Sequence, residues 1–126
     1  QAGLKLLTSG DPRHWIKFLN QETPVLTGAE RIVKHTRQVF VYGDVTRIRR
    51  GHYNCAFRII REDTKSLPEY EITDLYFREL EKSIRRQPEI YLWSHNRWKR
   101  TRARFDEYFE EVNGKVHLRE GKEMIF

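Results

Sequence analysis

The residues best suited to chemistry concentrate in one stretch, PEIYLWSHNRWK, which occupies residues 88–99. It combines two tryptophans, a tyrosine, a histidine and two cations directly after a proline. Aromatic rings suit contact with apolar material, and fixed cations suit contact with anionic groups. The stretch therefore predicts a surface where apolar and anionic matter meet.

Two further groups of cations have alternative interpretations. Arg47 and Arg49 would share one face of a strand, with Arg50 beside them. The second group is Arg97, Lys99, Arg100, Arg102 and Arg104. Arginine forks bind phosphates, but exposed cations are as often only a solvated surface. Tyr91, Trp93 and Trp98 precede or interrupt the second group, which also permits nucleic-acid binding; equally, their rings could be core.

Thr27 and Gly28 open a helix that we predict over about residues 28–36. Thr27 and Glu30 have the spacing of a capping box. A helix N-terminus behind a small residue can bind an anion, and a glycine there lets a ligand approach the backbone. A plain helix cap is the alternative and the commoner role.

The histidines do not form the usual catalytic or metal-binding motifs. None of the five lies four residues from another, and the sequence has no Gly-rich phosphate loop and no G-x-S-x-G elbow. Cys55 is the only cysteine, so an internal disulfide is excluded and a cysteine-based zinc site has no support. It alternates with Tyr53 and Phe57, which predicts a buried core thiol rather than a nucleophile. We expect neither a metal nor a cofactor.

Composition bounds the class of protein. A length of 126 residues with 38% apolar residues fits one soluble globular domain, and a formal charge of +6 favours anionic partners. No run is long and apolar enough to span a bilayer, and residues 1–10 lack the plan of a signal peptide. Because the chain begins at Gln1, we expect it to be a piece of a longer protein.

The elements that must position these residues follow from local signals. Residues 1–26 have an irregular pattern, with a turn at residues 10–12 and an apolar cluster at residues 15–19 that fits either a strand or one helical turn. Gly51 separates two β-rich segments at residues 39–48 and 52–60, which predicts a hairpin.

Helical spacing resumes after that hairpin. A helix should open at Thr73–Asp74 and stop before Pro88, with an ion pair between Glu81 and Arg85. We predict a further helix over residues 105–112, a turn at residues 113–114 and a short strand over residues 115–118.

The stretch at residues 88–99 resembles the C-terminal signature of the bacterial lipid A biosynthesis (late) acyltransferases. In that family a Pro-Glu-x-Tyr-x-Trp-x-His-x-Arg-Trp/Phe-Lys run follows a helix that ends in Ile-Arg-x-x-Pro, and here EKSIRRQP occupies residues 81–88. The segment FLNQETPVLTGAE at residues 18–30 is similar to the family's apolar run into Thr-Gly and a helix. A hairpin around Arg-Arg-Gly-His-Tyr at residues 49–53 matches in order and place. The resemblance covers about residues 14–100.

The resemblance implies a fold and a domain division. It implies an α/β chain that forms the C-terminal half of a glycerolipid-acyltransferase-like fold, with a small mixed sheet and a β-hairpin flanked by helices. Residues 1–104 would be the C-terminal part of the acyltransferase domain, and residues 105–126 a C-terminal helix or tail.

The resemblance also implies a reaction, its partners and its place in the cell. A fatty acyl group would pass from acyl carrier protein, or acyl-CoA, to a lipid A precursor or related glycolipid. The partners would be the acidic carrier protein, a phosphorylated glycolipid acceptor and an anionic membrane surface, which suit a basic chain. The parent protein would work at the cytoplasmic face of the bacterial inner membrane, peripherally or anchored through an N-terminal part.

The family's catalytic pair is not in this sequence. That pair is a His-x-x-x-x-Asp/Glu motif, whose histidine acts as general base on the acceptor hydroxyl. No carboxylate follows any of the five histidines at that spacing, so we expect the chain alone to be inactive and to contain no catalytic residue. An incomplete sheet would expose its edges, which predicts weak stability or a homo-oligomer.

By position, the resemblance transfers binding roles to Glu22, Thr27, Gly28 and Arg31. The signature adds the residues Trp93, His95, Arg97, Trp98 and Lys99. These five contact substrate or form a structural clamp that packs the last helix onto the sheet. Two other interpretations stay open: a non-enzymatic basic module that binds anionic lipid or RNA through residues 97–104, and an interaction domain in which every motif is core.

Overall fold

The computed structural model describes residues 11–113 and 115–122, with side chains for residues 14–113 and 116–122. Within these residues it contains six strands, three α-helices and one 3₁₀ turn at Pro88–Ile90. The strands are β1 Asp11–Phe18, β2 Gln21–Val25, β3 Phe40–Arg49, β4 His52–Arg61, β5 Phe109–Val112 and β6 Lys115–Leu118. The helices are α1 Gly28–Thr36, α2 Glu71–Arg86 and α3 Arg102–Tyr108.

The strands form three separate antiparallel pairs among the described residues: β1 with β2, β3 with β4, and β5 with β6. The chain is therefore of mixed α and β structure with small antiparallel sheets, where the sequence predicted one small mixed sheet. The residues cluster into two compact units. The first comprises residues 1–26 and 96–126, and the second comprises residues 27–95.

In the first unit, a two-residue turn joins β1 to β2. Leu19 and Asn20 have φ angles of 50° and 64°, the left-handed values that tight hairpin turns require. The prediction that this region is irregular is therefore wrong for residues 11–25, and Asp11 and Pro12 lie in β1 rather than in a turn. For the apolar cluster at residues 15–19, the strand alternative is confirmed as far as Phe18. Residues 1–10 lie outside the described residues.

The core of the first unit is aromatic. Phe18, Phe105 and Phe109 are buried, and the rings of Phe105 and Phe109 stack with centroids 5.2 Å apart. Helix α3 begins where the Thr101 hydroxyl accepts a hydrogen bond from the Arg104 amide at 3.2 Å. It ends at Tyr108, so the predicted helix over residues 105–112 is wrong in its second half, because residues 109–112 pair with β6. The predicted strand over residues 115–118 is confirmed.

In the second unit, the predicted helix at residues 28–36 is confirmed as α1, and the predicted hairpin is confirmed as β3 and β4. Gly51 supplies the turn with φ +76°, a conformation that side chains rarely adopt. One face of the hairpin packs on α2: the Tyr42 and Ser83 hydroxyls lie 2.8 Å apart, and Asp44 accepts two hydrogen bonds from Arg86 at 2.9 and 2.7 Å.

The opposite hairpin face is exposed, which corrects the prediction for Cys55. The thiol is exposed, and so are Tyr53 and Phe57 on the same face of β4. The alternation itself is right, but the face that packs against α2 is the other one, where ion pairs and the buried Tyr42 contact the helix.

The capping box at Thr27 and Glu30 is also wrong. Thr27 makes no side-chain cap bond, and the buried Glu30 carboxylate instead accepts hydrogen bonds from the Tyr70 amide at 2.8 Å and the Thr73 amide at 3.2 Å. Glu30 thereby caps α2 from a distance, which lets that helix begin at Glu71, two residues before the predicted start. The predicted ion pair between Glu81 and Arg85 is confirmed at 2.7 Å.

Candidate substrate-binding residues

Three of the candidate residues lie at the start of α1. Thr27 is buried at 2% exposure, Gly28 is exposed as the first helical residue, and Arg31 is exposed one turn further along. A Cβ added at Gly28 would meet nothing within 4 Å, and its backbone is not in the left-handed region. The fold therefore does not require glycine at residue 28. The open space beside Gly28 leaves room for a ligand at the start of the helix.

Glu22 lies in the first unit, on the exposed side of β2. It pairs with Lys17 across the hairpin, while its neighbour Thr23 is fully buried. Glu22 is therefore exposed to solvent, whereas the next residue of the same strand is part of the core.

The first half of the signature folds on itself within the second unit. The Trp93 indole Nε1 donates to the Pro88 carbonyl at 2.7 Å, and its ring meets the Tyr91 ring edge-on with centroids 4.9 Å apart. Trp93 remains 54% exposed, and His95 is exposed with its backbone amide bonded to the Leu92 carbonyl. The two side chains are therefore presented on a short, locally braced loop.

The second half of the signature binds the β1–β2 hairpin within the first unit. The Trp98 Nε1 donates to the Thr23 Oγ1 at 2.8 Å, and the Arg97 guanidinium lies 5.7 Å from the centroid of the Phe18 ring. Lys99 is exposed. Arg97 and Trp98 therefore hold the chain against the hairpin that carries Glu22, which is a clamping contact.

The structure thus groups the candidates by unit. The first unit brings Arg97 and Trp98 to the hairpin of Glu22. In the second unit, Thr27, Gly28 and Arg31 share the start of α1, whereas the hydrogen bonds and ring contact of Trp93 stay within residues 88–93. The signature itself crosses the boundary between the units at residues 95 and 96.

The two cationic groups differ in how far they are used in packing. In the second group, the guanidiniums of Arg97, Arg102 and Arg104 lie over aromatic rings. At the end of the β3–β4 hairpin, the Gln87 side chain accepts a hydrogen bond from the Arg47 backbone amide and donates one to the Arg47 carbonyl. The Arg49 guanidinium lies 3.1 Å from the His52 Nε2. The hairpin end keeps its guanidiniums exposed to solvent.

Sequence reasoning missed one charged network beneath the hairpin. Hydrogen bonds from Arg86, with help from Ser83 and Arg58, hold the pKa of Asp44 at about 2 against the opposing effect of burial. Burial raises the pKa of the Tyr42 hydroxyl in the same network. Asp44 is the only acidic residue between residues 40 and 61, which is the sequence signal that could have revealed it. The network is structural because it ties β3 to α2.

The described residues contain no group of three or more His, Cys, Asp or Glu side chains placed to hold a metal ion. Among them, too, no helix has the length and apolar character needed to cross a membrane.

Comparison with protein families supplies the decisive observation. The model of the family described as bacterial lipid A biosynthesis acyltransferase matches residues 10–100, a segment that includes every candidate residue. The chain belongs to this family. The resemblance drawn from the signature is thereby confirmed. Comparisons with curated proteins and with solved structures return no match.

Proposed function

We propose that this chain is the acceptor-binding part of a lipid A acyltransferase. The reaction moves a fatty acyl group from acyl carrier protein, or acyl-CoA, to a lipid A precursor or a related glycolipid. The observation that carries the proposal is the family match over residues 10–100, which spans α1, the β3–β4 hairpin, α2 and the signature.

The catalytic pair of the reaction comes, in this proposal, from polypeptide outside the chain. The sequence lacks the His-x-x-x-x-Asp/Glu motif of the family, so no side chain here is assigned to proton abstraction. The chain then corresponds to the C-terminal half of a glycerolipid-acyltransferase-like fold and is inactive by itself. Residues 1–104 are the C-terminal part of the acyltransferase domain in this proposal, and residues 105–126 are a C-terminal helix or tail.

The start of α1 is the proposed contact for the acceptor's phosphate. The helix N-terminus offers backbone amides and a positive dipole end, Gly28 leaves them accessible, and Arg31 adds a guanidinium on the exposed side. Glu22 and the exposed signature residues Trp93, His95 and Lys99 are further substrate contacts, whereas Arg97 and Trp98 position the chain that presents them.

The partners follow from charge and from the family reaction. A net charge of +6 complements both an acidic carrier protein and a phosphorylated acceptor. We place the parent protein at the cytoplasmic face of the bacterial inner membrane, where its acceptor lies in an anionic bilayer.

Acceptor binding by the 126-residue chain tests this proposal. Calorimetric titration with a phosphorylated glucosamine disaccharide lipid in neutral detergent micelles should show saturable binding. Arg31→Ala should weaken it about tenfold, because an exposed charge-assisted hydrogen bond contributes about 1.5 kcal/mol, the lower end of the usual range. Arg78→Ala, which removes an exposed arginine from α2, is the matched control and should leave the affinity unchanged.

Gly28→Ala separates ligand binding from folding. Because the added methyl group meets no neighbour, the free energy of unfolding should stay level or rise by a few tenths of a kcal/mol. Affinity for the glycolipid should nevertheless fall, since the methyl group blocks the approach to the helix amides. Binding that ignores Gly28→Ala, Thr27→Val and Arg31→Ala would contradict the site. Binding to RNA that decreases steeply with salt would instead favour the basic-module alternative.

A further inference from the structure

One face of the β3–β4 hairpin is apolar and exposed. Val41 and Val45 on β3 are 43% and 40% exposed, and Phe57 and Ile59 on β4 are 74% and 60% exposed. The strand register places Val41 opposite Ile59 and Val45 opposite Cys55. A Cβ added at Gly43 would lie 3.2 Å from the Phe57 ring and 3.7 Å from the Cys55 sulfur, so these side chains share one face. We call Val41, Val45, Phe57 and Ile59 the hairpin face.

The packing of the second unit does not use the hairpin face. All the contacts to α2 described above come from the opposite face, through Tyr42, Asp44 and Arg58. Four large apolar side chains in a row make a contiguous patch, and water-soluble domains seldom leave such patches uncovered unless they bind something. The hairpin face is therefore a contact surface for a partner.

The charge around this face identifies the kind of partner. From residue 45 to residue 61 the hairpin has no acidic residue. Its end carries the exposed arginines Arg47, Arg49 and Arg50, and Arg61 is exposed at the last residue of β4. At the hairpin end, Ile48 is 70% exposed and Tyr53 is 61% exposed. Apolar groups, a tyrosine and a cluster of arginines are the combination found where proteins enter the headgroup region of a bilayer.

We propose that the hairpin face and the hairpin end, residues 47–53, insert into the surface of an anionic phospholipid bilayer. Phe57 and Ile59 would enter the boundary of the acyl chains. The arginines would extend their charged ends to the lipid phosphates. A second copy of the chain is a poorer occupant, since two such hairpins face to face would bring like charges together. The inference rests on the proposed function in one respect: that function places the protein at a membrane that contains the acceptor.

Vesicle binding by the 126-residue chain tests the inference. Vesicles of phosphatidylcholine with phosphatidylglycerol, and without any glycolipid, should sediment the chain at low salt, and pure phosphatidylcholine should do so far less. Phe57→Ser with Ile59→Ser should weaken binding at least tenfold, roughly the cost of exposing one large apolar side chain. Arg49→Gln with Arg50→Gln should weaken it by about fivefold for each charge removed.

Matched controls lie elsewhere in the second unit. Ile32→Ser removes an isoleucine of α1 that is 63% exposed, and Arg78→Gln removes an exposed cation of α2. Neither should change vesicle binding. All these side chains are exposed, so circular dichroism and thermal melting should show every variant folded like the unmodified chain.

Direct insertion gives a second readout. In a Phe57→Trp variant, lipids brominated in the acyl chains should quench the added fluorescence, whereas Ile32→Trp should show no added quenching. Vesicle binding that is equal for hairpin and control variants would overturn the inference. So would a dimer in analytical ultracentrifugation that Phe57→Ser dissociates, with no binding to vesicles, because the face would then join two copies. Glycolipid binding in micelles that depends on Arg31 would survive either result, so failure here is distinct from failure of the proposed function.

Discussion

Asp44 shows how one carboxylate ties the β3–β4 hairpin to α2. Its pKa of about 2 in the folded chain lies below the ordinary value of 3.8, because Arg86 donates two hydrogen bonds to it. A carboxyl with a lowered pKa stabilises the fold fully above its unfolded pKa and loses that contribution as the pH falls.

The predicted consequence is an acid-sensitive free energy of unfolding. Asp44→Asn should cost about 1–2 kcal/mol at pH 7, after allowance for the partly exposed arginine. The unmodified chain should lose this advantage between about pH 4 and pH 2, so the two proteins should converge there. Urea unfolding across this range measures the difference. A gap that stays constant down to pH 2 would show that Asp44 acts through packing rather than through its charge.

The two tryptophans of the signature should differ in structural importance. Trp98→Phe removes the hydrogen bond to Thr23, which is fully buried, and should cost about 1–2 kcal/mol of stability. Trp93→Phe removes the bond to the Pro88 carbonyl at a site 54% exposed, where water replaces the lost donor, and should cost under about 0.5 kcal/mol. Chemical denaturation compares them, and equal losses would rule out the clamping role assigned to Trp98.

At the scale of elements, Glu30 links α1 to the start of α2. Its buried carboxylate accepts from the Tyr70 and Thr73 amides, so Glu30→Ala should leave both without their acceptor and cost about 2–3 kcal/mol. Glu30→Gln keeps one acceptor oxygen and should cost about half as much. Hydrogen exchange should quicken at these two amides above all. Glu69→Ala, at an exposed residue beside the same helix start, is the control and should change neither quantity.

Local signals in the sequence predicted the elements that depend on local interactions. The turn at Gly51 needed only neighbouring residues, and α1 begins at the predicted residue although the capping box that indicated this start does not form. The β1–β2 hairpin was missed because its turn places Leu19, which has no preference for positive φ, where glycine or asparagine is usual. The capping box does not form because the Glu30 carboxylate instead accepts a hydrogen bond from the Tyr70 amide, forty residues away in the sequence.

Alternation along a strand identifies two faces but does not say which one is buried. In β4 the apolar set is exposed, and the face with Arg58 packs against α2 through an ion pair to Glu79 at 2.7 Å. Sequence alone favours burial of Cys55 together with Phe57, and that expectation fails because burial depends on which element lies opposite. The difference matters because the apolar set that is exposed is the hairpin face, which we assign to the bilayer.

At the scale of the whole molecule, the sequence predicted the family. It predicted the site only as a set of residues, without their arrangement. The twelve residues of the signature carried the resemblance to the acyltransferases, and the family match confirms this resemblance. The division of roles within the signature was not predictable, because the hydrogen bond from Trp98 to Thr23 joins residues 75 positions apart. The binding roles of Glu22, Thr27, Gly28 and Arg31 stay predictions.

Acyl transfer by the product of the complete reading frame that contains the Gln1 codon tests the account most directly. The measurement is mass spectrometry of a phosphorylated glucosamine disaccharide lipid after incubation with acyl carrier protein charged with a fatty acid. We predict that the frame encodes a His-x-x-x-x-Asp/Glu motif and that its product transfers one acyl group. Replacing that histidine should abolish transfer, Arg31→Ala should reduce it about tenfold, and the 126-residue chain alone should give none. A frame without the motif, or transfer by the 126-residue chain alone, would contradict the account.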